Sequence, residues 1–251
     1  MSRDSTARLV GVAFVVCLVC SILVSLTAVG LRERQERNKL LEKRRQILQI
    51  ANLYDPGRSV EEQFRQIETR TVDLAEGRFT TLEDPQALHD RSTPIPEGLD
   101  LAGIGTRSRH KLVYLVARQG RLQQLILPVY GKGVWSTMYG FIALGPDLTT
   151  ITGFGFYEHG ETPGLGGEID NPAWRAQWPG KQVYDREGRL MIEVLKGTVQ
   201  PDQPLARHQV DGLSGATLTA RGVSNLLRYW LGDQGYQPFL DHLRATGGVL
   251  P

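Results

Sequence analysis

Cysteine is almost missing from this sequence of 251 residues. Cys17 and Cys20 are the only two, and both lie in an apolar run near the N-terminus. Residues 21–251 therefore cannot form a disulfide framework, a thiolate metal site or an iron–sulfur cluster. The spacing C-x-x-C is a redox motif in soluble enzymes, but within a helix that faces lipid we interpret the two cysteines as small packing residues.

The sequence also lacks the common signatures of catalytic and nucleotide-binding sites. Its five histidines show no metal-binding spacing such as H-x-x-x-H, so we predict no metal site. A G-x-S-x-G nucleophile elbow, a Walker loop and a G-x-G-x-x-G fingerprint are all missing. The net charge of +2 is small and the basic residues are dispersed apart from one cluster, so the composition does not indicate nucleic-acid binding.

One long apolar run is present near the N-terminus. Leu9 to Leu31 are 23 residues without a charge. A helix of that length spans ~34 Å, which is enough to cross a hydrocarbon core of ~30 Å. The alternative is a cleaved signal peptide, but the apolar part of such a peptide is only ~7–15 residues long. We therefore predict a cytoplasmic N-terminal stub at 1–8 and an uncleaved transmembrane anchor at 9–31.

Residues 32–100 are predicted to be a juxtamembrane helical and connecting region. A charged helical pattern runs from Arg32 to about Asn52. A second short helix, from Val60 to about Ile67, is followed by a polar passage rich in turn residues that continues through Pro96. The first helix has an apolar stripe at helical spacing, formed by Leu40, Leu41, Ile47, Leu48 and Ala51.

Residues 101–251 are predicted to form the folded domain. Apolar alternation predicts strands at 112–117, 122–129, 138–144, 151–157 and 189–195. The first two strands are predicted to form a hairpin through Arg118–Arg121. Helices are predicted near 172–177, 217–231 and 238–245. Strands that are grouped together, with helices at the end, indicate an α+β fold with a mixed or antiparallel sheet and flanking helices.

Two glycine-rich stretches carry side chains that a ligand could contact. Residues 158–168, EHGETPGLGGE, contain four glycines and a proline, so their backbone turns tightly and can approach another group closely. On its own this stretch is either a surface loop or a wall for a flat ligand. Trp135 follows the glycines of residues 131–133 and is either a core residue or a platform on which a ring stacks.

The stretch DGLSGATLTA, residues 211–220, leads into the helix predicted at 217–231. Ser214 or Thr217 suits the N-cap of that helix. The alternative is that the helix N-terminus receives a phosphate, because its free N–H groups and its dipole favour an anion. The small residues of this stretch leave the approach open, and a threonine hydroxyl placed there could accept a phosphoryl group.

This stretch carries a resemblance to a known family. Asp211, Ser214, Gly215, Ala216 and Thr217 match every fixed position of D-x-x-[ST]-G-A-T, the flavinylation motif of a bacterial family. Together with the ETPGLG loop, the tryptophan segment and the N-terminal anchor, the whole chain resembles the C subunits (NqrC) of the sodium-translocating NADH:quinone oxidoreductases. The resemblance implies that FMN is joined through its phosphate to Thr217.

The resemblance also assigns roles around that bond. Ser214, Gly215 and Ala216 lie beside the attachment, Asp211 positions the loop or the metal of the attaching enzyme, and Thr219 is the competing hydroxyl. The domain at 101–251 then becomes an FMN-binding domain. The flavin ring is expected to lie against Trp135, Glu161, Thr162, Leu165 and Gly166.

The implied activity belongs to a complex. In the family, electrons pass from NADH to ubiquinone while the complex, a translocase, moves Na⁺, and the FMN of this subunit is one relay. The implied partners are the other subunits of the complex (A, B, D, E and F), and a separate Mg²⁺-dependent flavin transferase (ApbE type) during maturation. Two alternatives stay open: the homologous FMN-carrying G subunit of an Rnf-type ferredoxin:NAD⁺ oxidoreductase, and a non-redox, membrane-anchored assembly module.

Arguments about orientation in the bacterial inner membrane conflict. Two basic residues precede the anchor and seven lie between Arg32 and Arg45, which by the positive-inside rule places the large domain in the cytoplasm. However, long domains translocate largely regardless of charge. The flavin transferase of the resembled family works outside the cytoplasmic membrane, and a domain without cysteine suits an oxidising compartment. We predict that residues 32–251 are periplasmic.

Overall fold

The computed structural model describes residues 3–81 and 92–248, without the side chains of residues 3–7. The helices are α1 (Arg3–Ile50), α2 (Val60–Phe64), α3 (Pro172–Arg175), α4 (Thr217–Leu231) and α5 (Gln237–Ala245). The strands are β1 (Glu68–Asp73), β2 (Arg78–Thr80), β3 (Ser92–Pro94), β4 (Thr106–Ser108), β5 (His110–Arg118), β6 (Arg121–Lys132), β7 (Thr137–Leu144), β8 (Ile151–Glu158), β9 (Glu193–Val194) and β10 (Gln209–Val210). Two 3₁₀ turns lie at Gly166–Asp170 and Ala206–His208.

The chain divides into two compact units, Met1–Lys43 and Arg44–Pro251. The described residues of the first unit, 3–43, all belong to α1. Within the described residues, α1 is the one helix that is long and apolar enough to cross a membrane, judged by length and composition. The side chains from Leu9 to Leu31 are exposed, as expected for a segment whose natural surroundings are lipid rather than protein.

The second unit is built on a six-stranded antiparallel sheet in the order β2-β1-β5-β6-β7-β8. The predicted hairpin joins β5 to β6. Its turn residues Gln119 and Gly120 have φ of 53° and 72°, and two positive φ values in succession are what a type I′ hairpin turn requires. The antiparallel sheet with its flanking helices confirms the predicted α+β class.

Both faces of the sheet are covered. Helix α4 packs directly on β6, because a Cβ at Gly131 would lie only 2.6 Å from the Cβ of Leu226. The hydrophobic core of the second unit includes the predicted apolar stripe of α4, whose five side chains are fully buried: Val223, Leu226, Leu227, Trp230 and Leu231. On the other face, Phe64 of α2 makes an edge contact with Tyr114 of β5, with ring centroids 6.1 Å apart.

The end of α1 contributes to the second unit. Ile47, Leu48 and Ala51 of the predicted stripe are buried, whereas Leu40 is 49% exposed. Asn52, with φ of 55°, ends the helix and donates from Nδ2 to the backbone oxygen of Thr152 at the start of β8. The sheet is therefore enclosed by helical segments that come from opposite ends of this unit.

The prediction of a polar connecting passage after residue 67 is wrong where the structure describes it. Strands β1 and β2 lie there, and β1 pairs with both β2 and β5 inside the main sheet. The sequence of β1, ETRTVD, alternates charged residues with threonine and offers only Val72 as a fully buried apolar side chain, so its apolar pattern is too weak to indicate a strand. Residues 82–91 of the passage lie outside the described residues.

The predicted strand at 189–195 is much shorter in the structure. Only β9 remains, and it pairs in parallel with the two residues of β10. The 3₁₀ turn at Ala206–His208 comes directly before β10, so the partner offers no further length for pairing. Helix α2 likewise ends at Phe64 rather than near Ile67. The start of the FMN-binding domain at residue 101 stays a prediction. The main sheet of the second unit, however, already begins at Glu68.

Candidate functional site

A cleft of about 280 Å³ lies at the N-terminus of α4. Three separate segments form it: the loop between β6 and β7, the glycine-rich loop after β8, and the first turn of α4 with the residues before it. Eight of the ten predicted site residues line this cleft: Trp135, Glu161, Thr162, Leu165, Gly166, Gly215, Ala216 and Thr217.

The first turn of α4 has no side-chain cap. The N-cap is Ala216, which makes no side-chain hydrogen bond to the helix, so of the two alternatives for this stretch, a cap by Ser214 or Thr217 is not what the structure shows. The physical reason is the turn before it: Gly215 has φ of 71°, and the N–H of Ala216 donates to the oxygen of Leu213 at 3.1 Å. This turn places a residue without a side-chain oxygen at the cap. The positive end of the helix is thus left open to an anion from outside.

The two threonines of this helix turn have opposite surroundings. Thr217 is the first residue of α4, is exposed, and lines the cleft. Thr219 is only 1% exposed, and its hydroxyl donates to Oε2 of Glu161 at 2.5 Å. Successive helix residues are separated by ~100°, so residues two apart face nearly opposite directions. Both threonines line the cleft, but of the two only Thr217 is exposed, whereas Thr219 borders the cleft from inside the core.

Glu161 holds the three segments together. Its side chain is buried, and its Oε1 accepts hydrogen bonds from the backbone N–H of Val134 at 2.9 Å and of Trp135 at 3.1 Å. Its Oε2 accepts from Thr219. A Cβ at Gly133 would lie 2.5 Å from Oε1 of Glu161, and one at Gly166 would lie 2.7 Å from Oε2. Glycine at both positions is what lets the loops approach the carboxylate.

The start of the glycine-rich loop is held by His159. Its Nδ1 accepts from the backbone N–H of Glu161 at 3.2 Å, and its Nε2 lies 2.7 Å from Oδ2 of Asp170. Nδ1 can accept only when it carries no proton, so this geometry assigns the proton to Nε2, which donates to Asp170. The hydroxyl of Ser136 accepts from the N–H of Gly160 at 2.6 Å and ties this loop to the β6–β7 loop.

The walls of the cleft are apolar and exposed. Trp135 is 74% exposed and Leu218 is 61% exposed, and Val134 and Leu165 are exposed beside them. Four exposed apolar side chains around one opening are unusual for a surface that only water contacts. Val134 and Leu218 were not predicted as site residues. The sequence could have indicated Leu218, because this leucine does not belong to the apolar stripe that α4 buries in the core and therefore needs another reason to be apolar.

Asp211 and Ser214 do not line the cleft. Oδ1 of Asp211 accepts from the N–H of Val199 at 2.7 Å, and its backbone oxygen accepts from Nε1 of Trp174 at 2.8 Å. Asp211 therefore organises the loop that leads to α4, and its predicted role in flavin attachment stays a prediction. Ser214 is exposed on that same loop.

These residues fit a planar aromatic ligand that carries a phosphate. The open N-terminus of α4 suits the anion. The apolar walls suit a ring, since aromatic faces pack against tryptophan and leucine side chains. At about 280 Å³ the cleft is just below the roughly 300–1,000 Å³ of typical ligand pockets, so a flavin would be only partly enclosed.

Comparisons with known proteins agree with this geometry. The family described as the FMN-binding domain matches residues 133–232. The C subunit of the Na(+)-translocating NADH-quinone reductase of Pseudomonas aeruginosa is 50% identical, over 97% of this chain and 98% of its own. The chain belongs to the NqrC family. The corresponding C subunit of Vibrio alginolyticus is 43% identical, over 97% of each chain.

A solved structure of this family has the same fold. The crystal structure of Shewanella oneidensis NqrC superposes with a TM-score of 0.73 at 33% identity, and covers 84% of this chain and 99% of that one. In the present member of the NqrC family, the FMN-binding match begins in the β6–β7 loop and ends just after α4. It therefore contains all three segments of the cleft, while β1 to β6 precede it.

The role of Glu161 leads to a prediction about stability. Glu161→Ala leaves three buried or partly buried donors without their acceptor, at roughly 1–3 kcal/mol for each. We expect the unfolding temperature of the full chain in mild detergent to fall by about 5 °C or more, measured by tryptophan fluorescence. Glu161→Gln keeps one oxygen for the backbone N–H groups and can donate to a reoriented Thr219 hydroxyl, so it should recover most of the loss.

The matched control is Glu158→Ala, which removes an exposed carboxylate from the start of the same loop. It should leave the unfolding temperature nearly unchanged. If Glu161→Ala proved no more harmful than Glu158→Ala, the three-way contact at Glu161 would not be holding the site together.

Proposed function

We propose that this chain is a membrane-anchored electron carrier that holds FMN covalently at Thr217, as a subunit of a Na⁺-translocating NADH:quinone reductase. The observation that carries the proposal is the difference between its two neighbouring hydroxyls. Thr217 is exposed at the uncapped start of α4, beside an apolar cleft, while Thr219 is buried and bonded to Glu161. Family membership and the FMN-binding match support FMN as the ligand.

The proposed bond is a phosphoester between Thr217 and FMN. A separate Mg²⁺-dependent flavin transferase would supply FMN from FAD. The Thr217 oxygen bonds to the phosphorus of the FMN half, the pyrophosphate P–O bond breaks, AMP leaves, and the hydroxyl proton goes to solvent or to a base of the transferase. The chain contributes an accessible acceptor, and the exposure of Thr217 suits access by a second protein.

The residues of the cleft would then bind and orient the group. The uncapped first turn of α4 would offer its N–H groups to the phosphate, and Trp135, Leu165 and Leu218, which line the cleft, would border the ring. Bound FMN supplies the relay of electrons, while the protein supplies position and electrostatics. Attachment through the phosphate leaves the ring free and prevents loss of the cofactor.

The complete reaction needs the other subunits of the complex, which we propose are those designated A, B, D, E and F. The anchor carries no ionisable residue between Leu9 and Leu31, so it provides no ion path by itself. We therefore expect the isolated chain to be inactive in NADH oxidation and quinone reduction.

The similar proteins carry the quinone reductase name, which favours this complex over an Rnf-type reductase. The apolar cleft at an uncapped helix disfavours a purely structural module.

The attachment can be tested on a denaturing gel viewed under ultraviolet light before staining. The full chain, expressed with its flavin transferase, should give a fluorescent band at the mass of the chain. Thr217→Ala should abolish the band because the acceptor oxygen is gone, while Thr217→Ser should restore some of it. Thr219→Ala should leave the band, since that hydroxyl is buried. Fluorescence that survives Thr217→Ala places the bond elsewhere.

We also propose that residues 32–251 lie in the periplasm and that the anchor crosses the inner membrane. The cluster of seven basic residues between Arg32 and Arg45 opposes this orientation under the positive-inside rule. The rule weakens for long translocated domains, and a domain without cysteine suits an oxidising compartment. The cluster would then face the outer surface of the membrane.

Protease added to spheroplasts tests this orientation. A periplasmic domain should be digested while a cytosolic control protein in the same sample survives. Complete protection of the domain, with the control also intact and an exposed periplasmic marker digested, would reverse the orientation and make the charge count the better guide.

A further inference from the structure

The cleft at the N-terminus of α4 is called the flavin cleft below. A second cavity, of about 420 Å³, lies elsewhere, at the edge of the sheet. It is bordered by strand β8, by helix α3 and the residues after it, and by the end of α1. Its walls are largely apolar, formed by Ile50, Phe154, Pro172, Ala176 and Pro179. None of the residues that line this second cavity also lines the flavin cleft.

Among the residues that the structure describes, Arg175 is the one charged side chain that lines the second cavity. Its guanidinium lies flat on the backbone of Gly155, with Nη2 2.7 Å and Cζ 2.9 Å from the position that a Cβ would take there. The side chain is half-buried, and within residues 3–81 and 92–248 no carboxylate or hydrogen-bond acceptor pairs with it. By contrast, Arg109, Arg189, Arg228 and Arg244 each pair with a carboxylate.

This combination is suited to a single anionic group. A guanidinium presents its donors in a planar fork that matches a carboxylate. Contact with Gly155 already restricts the side chain, which reduces the entropy lost when a partner binds. Once a partner covers the apolar walls, they exclude water from the pair and strengthen it. Arginine set in an apolar pocket is typical of the residues that dominate protein interfaces.

We propose that the second cavity is a docking site for a neighbouring subunit, which inserts an acidic side chain between the apolar walls and onto Arg175. The proposal rests on the proposed function only in that the chain works within a complex. A lipid surface is a poorer match, because recognition of anionic membranes relies on clusters of several Lys or Arg residues, whereas this cavity offers one.

The test uses the full complex, purified through a tag on this chain, with the amount of each other subunit per chain measured by quantitative mass spectrometry. Arg175→Glu opposes the acidic side chain, and Ala176→Phe fills the cavity without changing charge. Each should lower the recovery of the docked subunit at least tenfold. Arg175→Lys should keep part of it, because the charge remains but the fork is lost.

Two variants serve as matched controls. Ala173→Phe adds the same ring to an exposed position of α3 that does not line the cavity, and Arg186→Glu reverses an exposed arginine elsewhere. Both should leave subunit recovery unchanged. For every variant, the fluorescent flavin band reports the proposed function independently, so a failure at the cavity is distinguishable from a failure at Thr217.

The contrary outcomes are equally clear. If Arg175→Glu and Ala176→Phe keep the flavin band and all subunits, no partner docks in the cavity and the proposal is overturned. If the same variants retain all subunits but lose binding to vesicles that contain phosphatidylglycerol, the cavity is a lipid site and the proposal is equally wrong.

Discussion

The site depends on one buried carboxylate. Glu161 accepts two backbone hydrogen bonds from the β6–β7 loop and one from Thr219 on α4, while it belongs to the glycine-rich loop itself. That carboxylate is a polar contact common to all three segments, whereas the bond from Gly160 to Ser136 joins only the two loops. A buried acceptor shared by three donors fixes its neighbours closely, because leaving any donor unpaired costs free energy.

This constraint separates two chemically identical side chains. Glu161 holds Thr219 in the core, together with the buried stripe of α4, while Thr217, two residues earlier, is exposed beside the cleft. The turn at Gly215 leaves Ala216 as the cap, so the uncapped N-terminus of the helix lies directly beside Thr217. The acceptor oxygen and the phosphate site that we propose would thus be provided by the same few residues.

Much of this arrangement could be predicted from the sequence. The period of α4, the hairpin at Gln119–Gly120 and the strands β5 to β8 have strong apolar patterns, and the structure agrees with them. Strand β1 could not be recognised, because a strand whose place in the sheet depends on distant partners needs few apolar residues of its own. The length of β9 is likewise set by its partner β10 and not by its own residues.

The candidate site, like the fold, was predictable from the sequence only in part. The glycine-rich loop, Trp135 and the motif around Thr217 were each recognisable, and the structure brings them to one cleft. The inward direction of Glu161 was not predictable, since it depends on the packing of loops against α4. The sequence also left open whether Ser214 or Thr217 caps the helix or its N-terminus is free for a phosphate, and only the structure, with its positive φ at Gly215, shows that alanine takes the cap position.

The most direct test of this account is peptide mass spectrometry of the full chain expressed with its flavin transferase. Trypsin cleaves after Arg207 and Arg221 and releases the peptide that holds both threonines and Ser214. The account predicts that this peptide is heavier by FMN less one water, and that fragment ions place the addition on Thr217. An addition on Thr219 or Ser214, or an unmodified peptide from a flavin-loaded chain, would contradict it.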